Sequence, residues 1–399
     1  MKKLLFIVLV IFIGGNVIAQ NEETTKVIDS LVKEAVAKQV KKPSKTQFMI
    51  RGYGHTGFAY DDVNGETSSS FDGGTFAPIF LFKHNDRFMF ESELEFTLSG
   101  GELEIGFEYA NAMYVINDYM TVRAGKFLLP FGTFMERLHP SWINRFTSKP
   151  LGFGHDGIAP SSDVGVELRG AFYIGNTKWN YSGYVTNGPT LKDGSDEPEE
   201  AGMLSFENLT DNNTSKAFGG RIGFLPLHDS SIEVGGSIYA TDGVGNKGSE
   251  YEDIKAVLYA FDLSYVKQIA PISGLIDIKA QYNHSNVDSA FYFDPEDGET
   301  YTFDNQSQSY FVQLSYRPTM IGNNFVKNLE LVGRYSELTT PEGSEWESQS
   351  SQYSVGLNYW ISWRSVLKMS YESKETEGGH GGAGITNVDT FSIHWAIGF

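Results

Sequence analysis

Regular alternation of apolar and charged residues runs through most of the chain, and it restricts the possible folds more than any other feature. Between residues 88 and 98, apolar side chains occupy nearly every second position, and Glu91, Glu93 and Glu95 lie between them. Successive side chains of an extended strand point to opposite faces, so the pattern predicts one apolar face and one carboxylate face. This period of two begins near Thr46 and continues to the last residue. The chain is therefore predicted to be mainly β-structure.

Segments with this alternation recur about sixteen times, and nearly all are about ten to thirteen residues long, the length that a tilted strand needs to cross hydrocarbon. A soluble sheet with one solvated face also alternates, but it does not require such regular lengths. We therefore predict an all-β fold, a transmembrane antiparallel β-barrel of about 16 strands spanning residues 46–399. The predicted strands are centred near Tyr53, Phe80, Leu94, Phe107, Val122, Val166, Tyr181, Gly220, Gly236, Phe261, Ile278, Val312, Val332, Leu357, Leu367 and Trp395.

Short and long connections alternate between these segments. An even strand number places both chain ends on one side, so the short turns are predicted to face the periplasm and the long loops the exterior. The predicted short turns are 84–86, 117–118, 174–176 and 362–364, with one short member, 99–101, among the long set. The predicted long loops are 61–70, 130–160, 188–213, 241–253, 286–304, 339–349 and 373–386.

The loop at 130–160 combines cations with Phe131, Phe134, Trp142 and Phe146. Loops of this length inside a compact domain are usually functional, and this one would narrow a barrel if it folded inward. The residues predicted at the constriction are Arg123, Lys126, Arg137, Arg145 and Lys149. The alternation predicts a second set on the inner wall of the pore: Arg51, Glu91, Glu93, Glu95, Glu104, Glu108, Glu167 and Arg169.

Two N-terminal segments precede the strands. Residues 1–19 have two lysines, an apolar run and small residues before Ala19, which predicts a secretory signal peptide that is cleaved after export. The apolar run is too short for a transmembrane anchor. Residues 20–45 contain apolar positions at three- and four-residue spacings and predict a short periplasmic helix or tether. It could serve as a plug, a contact between protomers or a contact with the cell wall, or it could have no role.

The charge and the last strand indicate partners. A formal net charge of −19 repels nucleic acid, and no nucleic-acid partner is expected. The same charge is compatible with outer-membrane lipid and lipopolysaccharide whose headgroups are bridged by divalent cations. The chain ends on the aromatic Phe399 after an alternating strand. This terminus resembles the signal that the barrel-insertion machinery of the outer membrane reads.

No spacing predicts catalysis, a cofactor or a metal site. His55, His139, His155, His284 and His394 are isolated and have no catalytic signature around them. The G-x-G-x-x-G at 243–248 has no helix after it, and DPEDGE at 294–299 lacks the closing glutamate of an EF-hand. The sequence also lacks Cys and hence any disulfide framework. We expect that the protein is not an enzyme; an outer-membrane barrel hydrolase and a scaffold or adhesin with a closed lumen are the alternatives.

Several motifs together resemble the phosphate-selective porin O and P family. They are VRAGKFLLPFG at 122–132, MERLHPSWIN at 135–144, YVTNGP at 184–189, GRIGFLP at 220–226, YFVQLSYRP at 310–318, LELVGRYSEL at 329–338 and VGLNYW at 355–360. The resemblance covers most of residues 46–399. It implies a sixteen-stranded outer-membrane porin that forms a homotrimer and whose third external loop folds into the lumen.

The family name implies phosphate as a solute. Selectivity for anions needs Arg or Lys along the constriction, and the predicted inner faces instead carry many glutamates and no dense ladder of cations. Each predicted cation could equally form an ion pair that holds the loop against the wall. The sequence therefore predicts passive diffusion of small hydrophilic solutes, anionic or neutral, with a weak charge preference of undetermined sign.

Overall fold

A computed structural model describes residues 46–99, 102–155, 157–206, 209–295, 298–378 and 384–399. Within these residues, sixteen antiparallel strands form a closed barrel in which each strand pairs with its sequence neighbours and the last strand pairs with the first. The predicted signal peptide and N-terminal helix lie outside the described residues. The barrel strands are β1 (Gln47–Val63), β2 (Glu66–Lys83), β3 (Phe88–Ser99), β4 (Glu102–Asn117), β5 (Met120–Leu128), β6 (Ser162–Ile174), β7 (Thr177–Thr186), β8 (Ala217–Leu225), β9 (Ile232–Thr241), β10 (Ala256–Ile269), β11 (Gly274–Val287), β12 (Gln306–Arg317), β13 (Leu329–Thr339), β14 (Ser348–Ser362), β15 (Ser365–Gly378) and β16 (Thr386–Gly398).

Short elements occur in the connections. Two small hairpins pair Thr190–Leu191 with Leu204–Ser205 and Tyr292–Phe293 with Thr300–Tyr301. Phe134–Leu138 forms one turn of π-helix, and the 3₁₀ turns are Pro198–Glu200, Ala270–Ile272 and Val326–Asn328. In the part of the chain that the structure describes, no helix has the length and apolar character needed to cross a bilayer.

The predicted barrel is confirmed, since every predicted strand centre lies in a barrel strand. The predicted loop at 61–70 is wrong. β1 and β2 continue to a tight turn at Asn64 and Gly65, whose φ angles are 52° and 93°. Asn-Gly readily adopts the left-handed conformations that two-residue hairpin turns require, so long strands continue where a loop was expected. Strand β15 likewise extends to Gly378, within the loop predicted at 373–386.

Over most of the wall, polar side chains point into the barrel and apolar ones point out. On β10, Asp262 is buried whereas its neighbour Phe261 is 61% exposed, and β4 exposes Leu103 and Ile105 on its outer face. Exposed aromatic residues are frequent near both ends of the barrel. Near the short turns they include Tyr119, Tyr173, Phe325 and Trp363; near the long loops they include Tyr60, Phe71, Phe218, Tyr353 and Tyr371.

A β-bulge in β4 changes which residues face inward. The register between β3 and β4 shifts at Glu93, where Glu93 pairs with Tyr109 and Leu94 pairs with Phe107. The extra residue, Glu108, is buried, and Tyr109 packs against an interior aromatic cluster. Strict alternation counted from Phe107 would place Tyr109 on the outer face, but the bulge puts two consecutive residues on one side, so Tyr109 faces inward.

The C-terminal residue completes the junction between β1 and β16. The backbone N–H of Phe399 donates to the carbonyl oxygen of Gly52 at 2.9 Å, and the N–H of Gly52 donates to the carbonyl oxygen of Phe399 at 3.2 Å. The Phe399 ring stacks on Phe76 with 5.7 Å between centroids. It also covers Gly52, where an added Cβ would lie 2.7 Å from the ring. The terminal aromatic therefore packs across β1 onto β2.

We expect Phe399→Ala to lower the free energy of unfolding by about 1 to 2 kcal/mol, because an aromatic contact and partial burial are lost at the junction. Urea unfolding of the purified barrel, refolded into lipid vesicles without assembly factors, measures this loss. Phe71→Ala is the matched control, since Phe71 is 85% exposed. Equal effects of the two substitutions would contradict a stabilising role for Phe399.

Candidate functional site inside the barrel

Residues 129–161, between β5 and β6, form a segment whose contacts lie on the inner faces of distant strands; we call it the inner segment. The Gly132 N–H donates to Ser237 Oγ on β9 at 3.0 Å, and the N–H groups of Thr133 and Phe134 donate to Gln281 Oε1 on β11 at 2.8 and 3.0 Å. Gly132 has φ of 65°, and a Cβ there would lie 2.1 Å from the Gln281 side chain. Glycine therefore permits this close approach to the opposite wall.

Aromatic side chains hold the inner segment to β12, β14 and β16. Phe134 and Phe153 meet Phe311 of β12 edge to face, with centroid distances of 5.8 and 5.0 Å. Trp142 packs against the buried cluster that contains Trp360, and it covers Gly398 at the end of β16. The inner segment is therefore attached to the wall at three separate strands rather than at one point.

One charge cluster joins the start of the inner segment to β5 and β6. Arg123 Nε lies 2.5 Å from Glu167 Oε2, and Arg123 also approaches Glu136 of the inner segment at 3.6 Å. Arg169 pairs with the same two carboxylates at 3.5 and 2.7 Å. The cluster contains two guanidinium groups and two carboxylates, so its formal charge is balanced. Of the predicted constriction and wall residues, the structure brings Arg123, Glu167 and Arg169 together.

A second cluster joins Arg137 of the inner segment to β8, β9 and β10. Arg137 Nη1 lies 3.0 Å from Glu233 Oε2, and Arg221 pairs with Glu233 at 3.0 Å and with Asp262 at 2.6 Å. Two cations again face two carboxylates. The Arg137 side chain remains 39% exposed at the edge of the cluster.

A third cluster fixes Arg145 to β11 and β13. Arg145 Nε lies 3.0 Å from Glu330, which is nearly fully buried, and its Nη2 lies 3.4 Å from Asp277. Lys279 pairs with Asp277 at 2.7 Å, which completes a set of two cations and two carboxylates. The indole N–H of Trp360 donates to Glu330 at 2.8 Å. Arg145 is therefore an ion-pair anchor rather than a free cation.

A fourth cluster uses wall cations against the backbone of the inner segment. Arg334 of β13 donates to the Ser148 hydroxyl at 2.6 Å and to the Ser148 carbonyl at 3.1 Å, and it lies 3.5 Å from Glu372 of β15. Lys368 Nζ donates to the carbonyl oxygens of Ser141 and Phe146. These wall groups fix the conformation of residues 141–149.

Unpaired negative charge is concentrated on β3 and β4. Glu91 accepts from Asn111 at 3.4 Å, and Glu95 accepts from Tyr53 and Thr97 at 3.4 and 3.3 Å. Glu104 shares the inner face by register, since it pairs with Thr97 of β3, and it is exposed. Among the described residues, no cation lies within 4.0 Å of these three carboxylates, in contrast to the four clusters above.

The remaining predicted residues occupy distinct environments. Glu93 is buried, and Glu108 pairs with His155 of the inner segment at 2.9 Å. Lys149 is exposed, and within the described part of the chain no carboxylate lies within 4.0 Å of its Nζ. Arg51 shares the inward face with Tyr53 but is exposed, and its Nε contacts Met49 Sδ at 3.0 Å.

Lys126 lies on the other face of β5 from Arg123 and Phe127. Its Nζ donates to the carbonyl oxygen of Phe107, next to the bulge in β4, at 2.6 Å. The structure therefore separates Lys126 from Arg123, and a role of Lys126 at the constriction stays a prediction. Side chains alternate along a strand, so Arg123 and Lys126, three positions apart, point to opposite sides.

An apolar cluster fills the inner face of β7 to β10 on the side of the long loops. Tyr184, Tyr239, Leu258 and Ala260 of the wall are buried there with residues from the loops between 187 and 305. The Trp346 indole N–H, from the loop between β13 and β14, donates to the carbonyl oxygen of Ala201 at 2.9 Å. The interior therefore has an apolar, packed side at β7 to β10 and an acidic side at β3 and β4.

Burial affects two titratable groups of the inner segment differently. Burial alone would raise the pKa of Glu136, but Arg169 and Arg123 outweigh it, so the net pKa lies below the usual range. Burial lowers the pKa of His139 to about 4, despite the nearby charge of Glu108 and a hydrogen bond with the Met135 carbonyl. His139 is therefore neutral at neutral pH while Glu136 is ionised.

Sequence patterns do not identify the partners of the inner segment. Glu330 and Arg334 fall on the charged face of a predicted strand, but nothing in the sequence connects them to residues 145–149, about 185 positions away. Glu136 lies in MERLHPSWIN, but that motif does not identify its partners, and Asp277 and Glu372 carry no local motif. Asp277 and Glu372 share only an inward position on a strand, which indicates burial without identifying a partner.

Comparison with known structures shows which proteins share this fold. No protein-family model and no curated protein sequence matches this chain. The outer membrane channel DcaP of Acinetobacter baumannii superposes with a TM-score of 0.59 at 10% identity, over 89% of this chain and 98% of that chain. An anion-selective porin from Comamonas acidovorans gives 0.56 at 11% identity, over 89% and 100%. A loop-deletion mutant of OmpT, an outer membrane protein of Vibrio cholerae, gives 0.51 at 8% identity, over 89% and 99%. The likeness concerns the fold, which is the closed barrel of outer-membrane porins.

We expect Arg145→Met to lower the free energy of unfolding by about 3 kcal/mol, because Glu330 stays buried without its partner. Urea unfolding followed by circular dichroism measures the change. Lys149→Met is the matched control on the same segment and should change stability by less than about 0.5 kcal/mol, because Lys149 is exposed. If both variants unfold at the same urea concentration, the anchor role of Arg145 is wrong.

The neutral His139 makes stability depend on pH. Its pKa is lower in the folded protein than the ordinary 6.5. As the pH falls, His139 is therefore protonated in the unfolded chain at a higher pH than in the folded protein. The contribution of neutral His139 to the free energy of unfolding is fully present above pH 6.5 and is lost as the pH falls toward 4. The loss is about 1.4 kcal/mol for each tenfold difference in proton affinity between the folded and unfolded chains.

We expect His139→Gln to flatten this part of the stability profile, because the substituted side chain does not titrate. Unfolding measured at pH 7.5, 5.5 and 4.5 tests the expectation. His228→Gln, at an exposed position, is the control. An unchanged slope in His139→Gln would refute the assignment.

Proposed function

We propose that the protein is an outer-membrane channel of the porin type that lets small hydrophilic solutes and ions diffuse passively, with a preference for cations. The observation that carries the preference is the set of carboxylates Glu91, Glu95 and Glu104 on the inner face, of which Glu91 and Glu95 are half-buried and Glu104 is exposed, and which have no cation within 4.0 Å among the described residues. A closed barrel with an apolar exterior and aromatic residues near both ends supports insertion into a bilayer.

The pairing of the cations argues against strong anion selectivity. Arg123, Arg137 and Arg145 each face carboxylates at 3.0 Å or less. A paired guanidinium contributes little net potential to a passing anion, whereas an unpaired carboxylate in a narrow, low-dielectric path attracts cations. Lys149 alone of the five predicted constriction residues projects an exposed ammonium group from the inner segment. Phosphate, the solute implied by the family resemblance, would therefore meet paired guanidinium groups and the single exposed ammonium group of Lys149 along this path.

Other parts of the proposal follow from the sequence. The sequence motifs support membership of the phosphate-selective porin O and P family and, through that family, a homotrimer. Residues 1–19 support export through a signal peptide, and the terminal Phe399 supports recognition by the barrel-insertion machinery. The exposed apolar outer face of β4 and β8 is compatible with either lipid or a neighbouring protomer.

A barrel with a closed lumen is the second candidate. The observation that favours it is the extent of packing inside: the inner segment contacts strands around the wall, and an apolar cluster fills the side of β7 to β10. Such a molecule would serve as a scaffold or adhesin. It requires that the acidic side at β3 and β4 also be sealed.

Single-channel recording in a planar bilayer under a potassium chloride gradient tests the proposal. We expect a reversal potential of the sign given by cation preference, unaffected by added phosphate. In Glu91→Gln/Glu95→Gln, the permeability ratio of K⁺ to Cl⁻ should fall at least about twofold, since two unpaired charges leave the pore wall.

The matched control is Glu375→Gln/Glu377→Gln, which removes two exposed carboxylates from the outward-facing positions of β15 and should leave the ratio unchanged. Anion preference with block by phosphate would overturn the proposal in favour of a phosphate-selective pore. The absence of conductance from a correctly folded barrel would favour the closed-lumen candidate.

A further inference from the structure

Two histidines and an aspartate meet on the inner face where β16, β1 and β2 adjoin. His55 of β1, Asp72 of β2 and His394 of β16 each offer a ligand atom, and these three atoms all lie within 4.8 Å of one another. His55 Nε2 is 3.6 Å from Asp72 Oδ2. The rings of His55 and His394 stack with 5.0 Å between centroids and 11° between planes. The sequence predicts no metal site, because these residues lie on the first two strands and the last strand of the barrel.

The donor set matches that of a divalent transition-metal ion. Zn²⁺ binds imidazole nitrogen at about 2.0–2.1 Å and carboxylate oxygen at about 2.0–2.2 Å, which separates tetrahedral ligand atoms by about 3.3 Å. The His55–Asp72 distance is already close to this value. Rotation of the side chains can supply the remaining contraction. Two imidazoles and one carboxylate leave a fourth position open for water or a solute.

The surrounding structure orients these groups. The Gly74 N–H donates to Asp72 Oδ1 at 2.7 Å, which leaves Oδ2 directed toward His55. A Cβ at residue 57 would lie 2.3 Å from the His394 ring, so Gly57 provides the space in which that ring lies against β1. His55 Nδ1 is buried and has no hydrogen-bond partner among the described residues, so no competing bond fixes its ring.

We propose that His55, Asp72 and His394 form a binding site for a single divalent transition-metal ion such as Zn²⁺ on the inner wall of the barrel. The inference goes beyond the proposed channel function and does not depend on it. Asp72 supplies one negative charge to the ion. Lys368, the neighbour of His394 across the β15–β16 pair, is the cation that opposes binding, and its Nζ is held by the carbonyls of Ser141 and Phe146. A bound ion would connect β16, β1 and β2 across the closing junction.

Titration of the full-length, untagged barrel with zinc chloride after chelator treatment tests the site by isothermal calorimetry, and cobalt chloride provides a visible absorption signal. We expect one ion to bind per chain. His55→Gln and His394→Gln should each weaken the Zn²⁺ affinity at least about 100-fold, because loss of a direct ligand should cost more than the roughly 10- to 100-fold that loss of an outer-shell partner costs. His228→Gln, at an exposed histidine in the turn between β8 and β9, should bind like the unmodified protein.

Asp72→Asn tests the site if a histidine substitution impairs folding, because the amide retains an oxygen acceptor for the Gly74 N–H. This variant should also lose most of its affinity for Zn²⁺, and heat-modifiable migration on gels shows whether its barrel is closed. Absence of saturable Zn²⁺ binding to the unmodified barrel would overturn the proposal. Binding with unchanged affinity in Asp72→Asn and His55→Gln would overturn it equally, since the ion would then be held elsewhere.

Discussion

The structure depends on the pairing of charges inside the barrel. An apolar exterior leaves the charged residues on the inner wall, where they must be hydrated or matched by opposite charges. The inner segment supplies Arg137 and Arg145 opposite wall carboxylates and Glu136 opposite wall guanidinium groups. Its position is therefore set by the same requirement that keeps the wall charges stable. The same ion pairs therefore determine both the conformation of the inner segment and the charge balance of the interior.

This pairing divides the interior by function. Where the inner segment meets β5, β6, β8 to β11, β13 and β15, cations and carboxylates face each other and the contacts are structural. On β3 and β4 the carboxylates Glu91, Glu95 and Glu104 lie on the inner face and have no such counterpart among the described residues. A count of positive and negative residues over the whole inner wall would miss this difference. The charges that act on a passing ion are the unpaired ones, and the positions of the strands and of the inner segment determine which charges remain unpaired.

The barrel itself can be predicted from the sequence because it follows from local rules. Alternation identifies every barrel strand, since the side-chain period of a strand is two and both faces of the wall have distinct environments. The failures are also local. The Asn64–Gly65 pair favours a tight turn, although the polar residues around it suggest a loop, and the extra residue at Glu108 inverts the orientation of Tyr109. Proximity to Arg123 along the chain suggests a shared role for Lys126, but the strand period separates the two side chains.

The site can be predicted only in part, because its contacts are not local. Charged residues on the 130–160 loop are evident in the sequence, but the partners of Arg145 and Arg137, Glu330 and Glu233, lie on strands far along the chain. These separations also constrain the order of folding. Contacts between residues so distant in sequence form late, after loop-closure entropy has been overcome by pairing of the intervening strands. The inner segment emerges between the fifth and sixth strands. It can reach its final conformation only once the C-terminal strands are in place, so the interior of the barrel is completed after those strands have paired.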